Sequence, residues 1–259
     1  AYLLLHTLKL PLDRLEPFLD AKLLPEEVLQ VLAVIERRVT ERVPAAYITK
    51  EAWLGEYRFY VDERVLVPRS FIAELIPQQF SPWLTDPEGV ENVLELCTGS
   101  GCLAIMMADT FENAVVDAVD ISKDALAVAE HNIREYKLEG RVNPIESDLY
   151  ENVPFKKYDL IISNPPYVNS ESMRTLPPEY LNEPQIALAG GEDGMDLVRK
   201  IIAGAAERLT PDGILVVEIG NEREYAEAAF GHLGLTWLTT SIGDDAVFLL
   251  TAEQLQTAQ

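Results

Sequence analysis

The sequence predicts an α/β protein: a seven-stranded, mostly parallel sheet whose last strand runs antiparallel, preceded by a small helical unit and a hairpin linker. Three observations carry this. From residue 92 onward, short runs rich in Val, Ile and Leu alternate with helical patterns, the order that builds a parallel sheet through crossover helices. A tight turn, Thr98-Gly99-Ser100-Gly101, separates the first such run from its helix. Only Ile242 to Asp245 and an end residue separate the last two runs. That is too short for a parallel crossover, so those two strands must pair antiparallel.

Taken in order, residues 11–19 and 25–42 carry helix-spaced apolar residues with prolines near their starts, and predict two helices. Residues 53–61 and 65–67 predict a hairpin turning at Asp62-Glu63-Arg64. Residues 71–80 predict another helix, and the turn-rich stretch 81–89 a connection into the sheet. Strands are then expected at 92–97, 115–120, 142–146, 158–163, 213–219, 235–241 and 246–250. Helices are expected at 102–109, 122–136 with Ser122 as N-cap, 194–208 and 221–232. A long irregular segment fills the space between residue 163 and Gly194. The natural divisions are 1–50 for a helical unit, 51–88 for a linker and 89–259 for the sheet.

The most informative stretch is Asn164-Pro165-Pro166-Tyr167, directly after the run 158–163. Two successive prolines cannot continue a central strand, because neither has an N–H for the ladder. The tetrapeptide therefore sits at the strand's C-terminal end, where open α/β sheets place ligands. The Asn164 amide oxygen and the Pro165 carbonyl are two acceptors at the mouth of a stiff turn, with Pro166 and the Tyr167 ring beside them. Such a set suits a flat group carrying an NH2.

Gly99-Ser100-Gly101-Cys102-Leu103-Ala104 fits a dinucleotide-type turn, and Asp120 lies about twenty residues on at the end of the second sheet strand. Glycines let the backbone approach a ligand, and the carboxylate accepts from ribose hydroxyls. NAD and S-adenosylmethionine both carry adenosine, so this pair alone does not separate them. Ser147-Asp148-Leu149 follows the third strand, where Asp148 either accepts from an exocyclic adenine amine or caps the next turn. These marks, in order, make a cofactor-plus-acceptor cleft at one sheet edge.

Composition narrows the classes. The 259 residues are 48% apolar, enough for a sizeable core, and no run approaches the roughly 18 apolar residues a bilayer crossing needs. No signal-peptide pattern opens the chain, which begins at Ala1 rather than Met, consistent with residues preceding it. Two cysteines, Cys97 and Cys102, are too few for a disulfide framework or zinc site and fit small buried residues in a reducing cytoplasm. Asp plus Glu number 43 against 21 Lys plus Arg, a net of −22. That balance opposes direct DNA binding, which needs cations to displace counterions, and favours a basic protein partner. His6, His131 and His232 lie in unrelated segments and predict neither a metal site nor a catalytic base. Trp53, Tyr57 and Phe59 are expected to be mainly core.

Leu96-Cys97-Thr98-Gly99-Ser100-Gly101, Asp120, Ser147-Asp148-Leu149-Tyr150 and Asn164-Pro165-Pro166-Tyr167 together resemble the HemK-type protein glutamine methyltransferases. Glu183-Pro184, Ala187-Leu188 and Gly190-Gly191-Glu192-Asp193-Gly194 resemble that family's second signature, and Val65-Leu66-Val67-Pro68-Arg69-Ser70 its linker motif. Release-factor enzymes of the family usually carry Pro-Glu-Thr after the arginine. Ser70-Phe71-Ile72 here, with Cys97 and Cys102 around the glycine turn, looks more like the branch acting on ribosomal protein L three. The resemblance implies a class I methyltransferase fold. It also implies S-adenosylmethionine held by Cys97, Thr98, Gly99, Ser100, Gly101, Asp120, Asp148, Leu149 and Asn164. A glutamine amide is then held by Asn164, Pro165, Pro166 and Tyr167, with Arg69 near the cofactor carboxylate or the substrate backbone. It makes 1–50 a substrate-recognition unit and 89–259 the catalytic one. An NAD-dependent oxidoreductase, a non-catalytic ribosome-binding module and a nucleic-acid amino methyltransferase are the competing classes. The first leaves the tetrapeptide without a role.

Overall fold

Apolar runs of five or six residues dominate the centre of the molecule, and the computed structural model, which describes residues 1–257, turns them into one sheet. The chain begins with α1 (Tyr2–Thr7), α2 (Pro25–Thr40) and α3 (Ala45–Thr49), then a small hairpin of β1 (Ala52–Leu54) and β2 (Tyr57–Phe59), then α4 (Ile72–Leu75). The sheet unit follows with β3 (Asn92–Leu96), α5 (Cys102–Thr110), β4 (Val115–Asp120), α6 (Lys123–Glu135), β5 (Val142–Glu146), β6 (Tyr158–Ser163) and α7 (Ser170–Met173). It closes with α8 (Asp196–Ala205), β7 (Leu209–Glu218), α9 (Arg223–Phe230), β8 (Thr236–Thr240), β9 (Gly243–Thr251) and α10 (Ala252–Thr257).

Strand order is β5-β4-β3-β6-β7-β9-β8. β3 through β7 are parallel, and β9 lies between β7 and β8, antiparallel to both. The chain moves outward from β3 through β4 to β5, then returns to β6 on the other side of β3. This reversal opens a crevice above the C-terminal ends of β3 and β6, which is where such sheets bind ligands.

Both faces of the central strands are buried. Val93, Leu160, Ile162 and Val216 pack beneath α5 and α6. Leu94, Leu96, Ile161 and Leu215 pack toward α8 and α10. Each fully buried Leu or Ile contributes about 1.5–3 kcal/mol, which holds the strand ends in fixed register. Val43, Tyr47, Phe59 and Val65 join the α5 side, so the N-terminal segments share that core.

Three sequence expectations are corrected. Residues 11–19 form turns and one 3-10 turn at Glu16–Phe18, not a helix; Pro11 and Pro17 lack the N–H groups that a short helix cannot spare. The hairpin turns at Gly55-Glu56, pairing Ala52 with Phe59, and not at Asp62-Glu63-Arg64. Gly55 has φ +59, open to glycine at little cost, and reverses the chain within an alternation that reads as continuous along the sequence. Asp62 instead gathers Arg64, accepting from Nε at 2.8 Å, Nη2 at 2.7 Å and the backbone N–H at 3.1 Å. The third concerns 71–80: the α-helix ends at Leu75 and passes into a 3-10 turn, Ile76–Gln78, that contains Pro77.

Candidate active site

The glycine turn gets its shape from its neighbours. After β3, Cys97 adopts φ +62, and the Thr98 N–H donates to the Val119 carbonyl at 2.9 Å. Gly101 has φ +77, and a Cβ there would stand 3.1 Å from Cβ of Ala129, so this glycine lets α6 approach the turn. Gly99 has φ +55, yet a Cβ there would meet no atom within 4 Å. Its open side faces a cavity. Asp120 secures the turn by accepting from the Gly99 N–H at 2.8 Å and the Ser122 N–H at 2.9 Å, one on each carboxylate oxygen. Burial pushes the Asp120 carboxyl above its ordinary value, and those two N–H groups oppose the shift.

The cavity measures about 240 Å³ and sits in the crevice between β3 and β6. Of the residues expected to bind, Cys97, Thr98, Gly99, Ser100 and Asp120 line it on the β3–β4 side. Asp148, Leu149, Asn164, Pro166 and Arg69 line it elsewhere. Gly101, Pro165 and Tyr167 are not among its lining residues. Asp148 makes no side-chain hydrogen bond among the described residues; the Ser147 hydroxyl instead takes the Asn152 N–H, at 2.8 Å.

Sequence reasoning missed Glu95. It lies in the middle of β3, 2% exposed, and lines the cavity while its carboxylate accepts the Thr98 hydroxyl. Burial pushes its pKa up to about 8. A charged residue inside an otherwise apolar central strand was the signal. Also missed was the extent of the arm: every residue from 64 to 70 walls the cavity, not Arg69 alone.

Asn164 follows Ser163, which pairs with Leu96 of β3 and Val217 of β7. The Ser163 hydroxyl also donates to the Leu96 carbonyl at 2.8 Å, so the strand end is fixed. The Asn164 side chain has no hydrogen-bond partner among the described residues. The glycine-rich signature supports this turn from behind. A Cβ at Gly190 would lie 2.7 Å from the Tyr167 Cα and 2.8 Å from the Pro166 carbonyl oxygen, and one at Gly194 would overlap the Tyr167 carbonyl. Val168 donates to the Leu188 carbonyl and accepts from the Gly190 N–H, both at 2.9 Å. The Tyr167 ring rests on the turn after β7, where a Cβ at Gly220 would come within 2.6 Å of it. Burial, then the nearby Glu218 carboxylate, raises its phenol pKa, so the hydroxyl stays protonated.

Arg69 reaches the cavity wall with its guanidinium already held. It donates to both oxygens of buried Glu183, at 2.7 and 2.6 Å, and stacks over the Tyr180 ring at 4.9 Å. This bidentate pair fastens the arm to the strap that follows the Asn164 turn. The three histidines join no cluster able to hold a metal among the described residues. Phe59 is buried, whereas Trp53 is about half exposed.

The lining chemistry selects among adenosine-bearing ligands. Glu95, Asp120 and Asp148 put three carboxyl groups around the turn, while Arg64, Arg69 and Lys200 line other parts of the cavity. The Gly99 N–H, which a diphosphate would need, is given to Asp120. The occupied Gly99 N–H opposes a pyrophosphate, and the carboxyl groups at the turn suit a hydroxyl-bearing ligand. Ile121 and Leu149 offer apolar walls for a flat base.

Comparison with known proteins agrees with that selection. The methyltransferase small domain family model matches residues 81–179. The ribosomal protein uL3 glutamine methyltransferase of Burkholderia pseudomallei is 62% identical over 261 residues, covering 98% of this chain and 85% of the relative. The enzyme of that name from Neisseria meningitidis serogroup B is 58% identical over 255 residues, covering 98% and 84%. Among solved structures, the hMettl16 catalytic domain superposes with a TM-score of 0.57 at 12% identity, covering 88% of this chain and 82% of that one, a likeness of fold alone. With identity this high over nearly its whole length, the chain belongs to the family of ribosomal protein uL3 glutamine methyltransferases.

Proposed function

We propose that this protein methylates the side-chain amide nitrogen of a glutamine in large-subunit ribosomal protein uL3, in the cytoplasm. The observation that carries the reading is the unpartnered Asn164 amide at the wall of the cavity, at the end of a strand fixed on both sides. The relatives' shared name supplies the substrate. S-adenosylmethionine, when bound, supplies an electrophilic methyl group carried on a sulfonium.

An amide nitrogen is a poor nucleophile, because its lone pair is delocalised into the carbonyl. The Asn164 side-chain oxygen and the Pro165 carbonyl would each accept one of its two N–H protons and aim the lone pair into the cavity. Orientation of this kind supplies a large part of a rate enhancement. The nitrogen gains positive charge as its new bond forms, and two acceptor dipoles aimed at its protons stabilise that change. The surplus proton leaves to solvent afterwards, so no strong base is needed. Asp120 would accept from ribose hydroxyls through the lone pairs its backbone bonds leave free, Asp148 would accept from the adenine amine, and Glu95 would hold the Thr98 side chain beside them. Pro166 and Tyr167 keep the turn rigid, Tyr167 through its seat on Gly220. Arg69 acts through Glu183 rather than by touching substrate. Residues 1–50 would recognise the substrate, 51–88 link, and 89–259 catalyse.

The test is incubation with labelled S-adenosylmethionine and unmethylated ribosomal proteins, alongside a release factor carrying a Gly-Gly-Gln loop. Label on a uL3 glutamine, located by mass spectrometry, is expected. Equal labelling of the release factor would overturn the substrate assignment.

A further inference from the structure

Glu218 ends β7, one residue beyond the Ser163–Val217 pair, so it stands beside Asn164 on the neighbouring strand. It is 1% exposed and does not line the cavity. One oxygen, Oε2, accepts from the Ser70 hydroxyl at 2.6 Å, the Phe71 N–H at 2.8 Å and the Ile72 N–H at 3.4 Å. Ser70 itself is buried and closes the 64–70 arm that walls the cavity. The arm's other ties run elsewhere: the Tyr47 hydroxyl donates to the Val65 carbonyl at 2.5 Å, and Arg69 grips Glu183 on the strap. Among the described residues, Glu218 supplies the only side-chain hydrogen bond between the arm and the sheet edge that carries Asn164.

We propose that Glu218 is a positioning residue that sets the cofactor-facing wall in register with the amide-holding turn. Three donors converging on one oxygen suit a carboxylate, which draws them together; a neutral amide oxygen is a weaker acceptor. With the tie loosened, residues 64–70 drift from the cavity while strand pairing around Asn164 stays intact. Loss should therefore appear in cofactor affinity and much less in turnover at saturation. A role confined to stability would not divide the two.

This inference rests on the methyl-transfer reading, so the test first measures S-adenosylmethionine binding to the full chain by calorimetry, without acceptor. Glu218→Gln should raise Kd about tenfold, leave kcat at saturating cofactor within about threefold, and speed hydrogen exchange of the 64–72 amides. Ser70→Ala should weaken binding about threefold, and Ser70→Thr, which keeps the hydroxyl, should restore it. This serine pair decides the matter if Glu218→Gln fails to fold. Wild-type Kd in Glu218→Gln or in Ser70→Ala would overturn the proposal, as would equal losses in kcat and affinity. Absence of binding by the wild type would sink the methyl-transfer reading itself.

Discussion

Asp120 holds two tasks in one carboxylate. Its oxygens take the Gly99 and Ser122 N–H groups and so shape the turn, and the residue also lines the cavity. Asp120→Ala should therefore remove the proposed ribose acceptor and release the turn together. Loss of hydrogen bonds to a charged group costs about 1.5–3 kcal/mol, so S-adenosylmethionine affinity should fall roughly tenfold to a hundredfold. Asn164 should show the opposite division. Asn164→Ala removes an acceptor that has no structural partner, so cofactor Kd should stay within about threefold. Turnover should drop on the order of a hundredfold, the scale of a misplacement of about 1 Å. Asn164→Asp keeps an acceptor oxygen but adds charge, and should bind cofactor while losing much of its turnover. Calorimetry and single-turnover methylation on these variants read both quantities, and wild-type turnover in Asn164→Ala would end the amide-holding role.

At the scale of elements, the Asn164 turn depends on a segment that follows it in sequence. The strap bearing Gly190 and Gly194 packs its backbone on Pro166 and Tyr167 so closely that a side chain at either glycine collides with the turn. Gly194 also has φ +81, a conformation that costs an L-residue on the order of 1–3 kcal/mol. Gly194→Ala should lower the melting temperature and, by moving the Tyr167 carbonyl, reduce turnover more than cofactor affinity. A variant that melts lower with unchanged kcat would show that the strap supports the fold without setting the turn. The second signature was legible as a pattern of letters, but its use was not, because no spacing rule says which backbone a glycine lets in. The hairpin error has the same origin. Alternation ran unbroken across Gly55, and only pairing partners could say where the chain reversed.

For the whole molecule, charge decides two expectations. Burial lifts the Glu95 carboxyl from its ordinary 4.5 to about 8. The unfolded chain releases that proton near 4.5 while the folded chain keeps it to about 8. Across that window the folded state binds more protons, so stability falls as pH rises and levels off above it. Wild type should lose melting temperature relative to Glu95→Gln between about pH 5 and pH 8.5; parallel curves would show that Glu95 does not titrate there. The net charge of −22 should also speed encounter with a basic ribosomal protein. Association of the purified partners should slow steeply as salt rises, since screening shortens the reach of the acidic surface. A rate indifferent to salt would remove electrostatic steering from the account.

The strand and helix alternation, the antiparallel end and the placing of Asp120, Asp148 and Asn164 at strand ends can all be read along the chain. Those features are local: period, capping, a proline's missing N–H and the length of a connection all act within a few residues. Tertiary structure decided which groups share the cavity. Arg69 meets Glu183, 114 residues away, and Ser70 meets Glu218, 148 residues away. Glu95 becomes a buried acid only because α5 covers it, and Tyr167 lies on the β7 turn only because β6 and β7 are neighbours. Such contacts follow from sheet order and close packing, which bring distant segments together at distances that no pattern along the chain encodes.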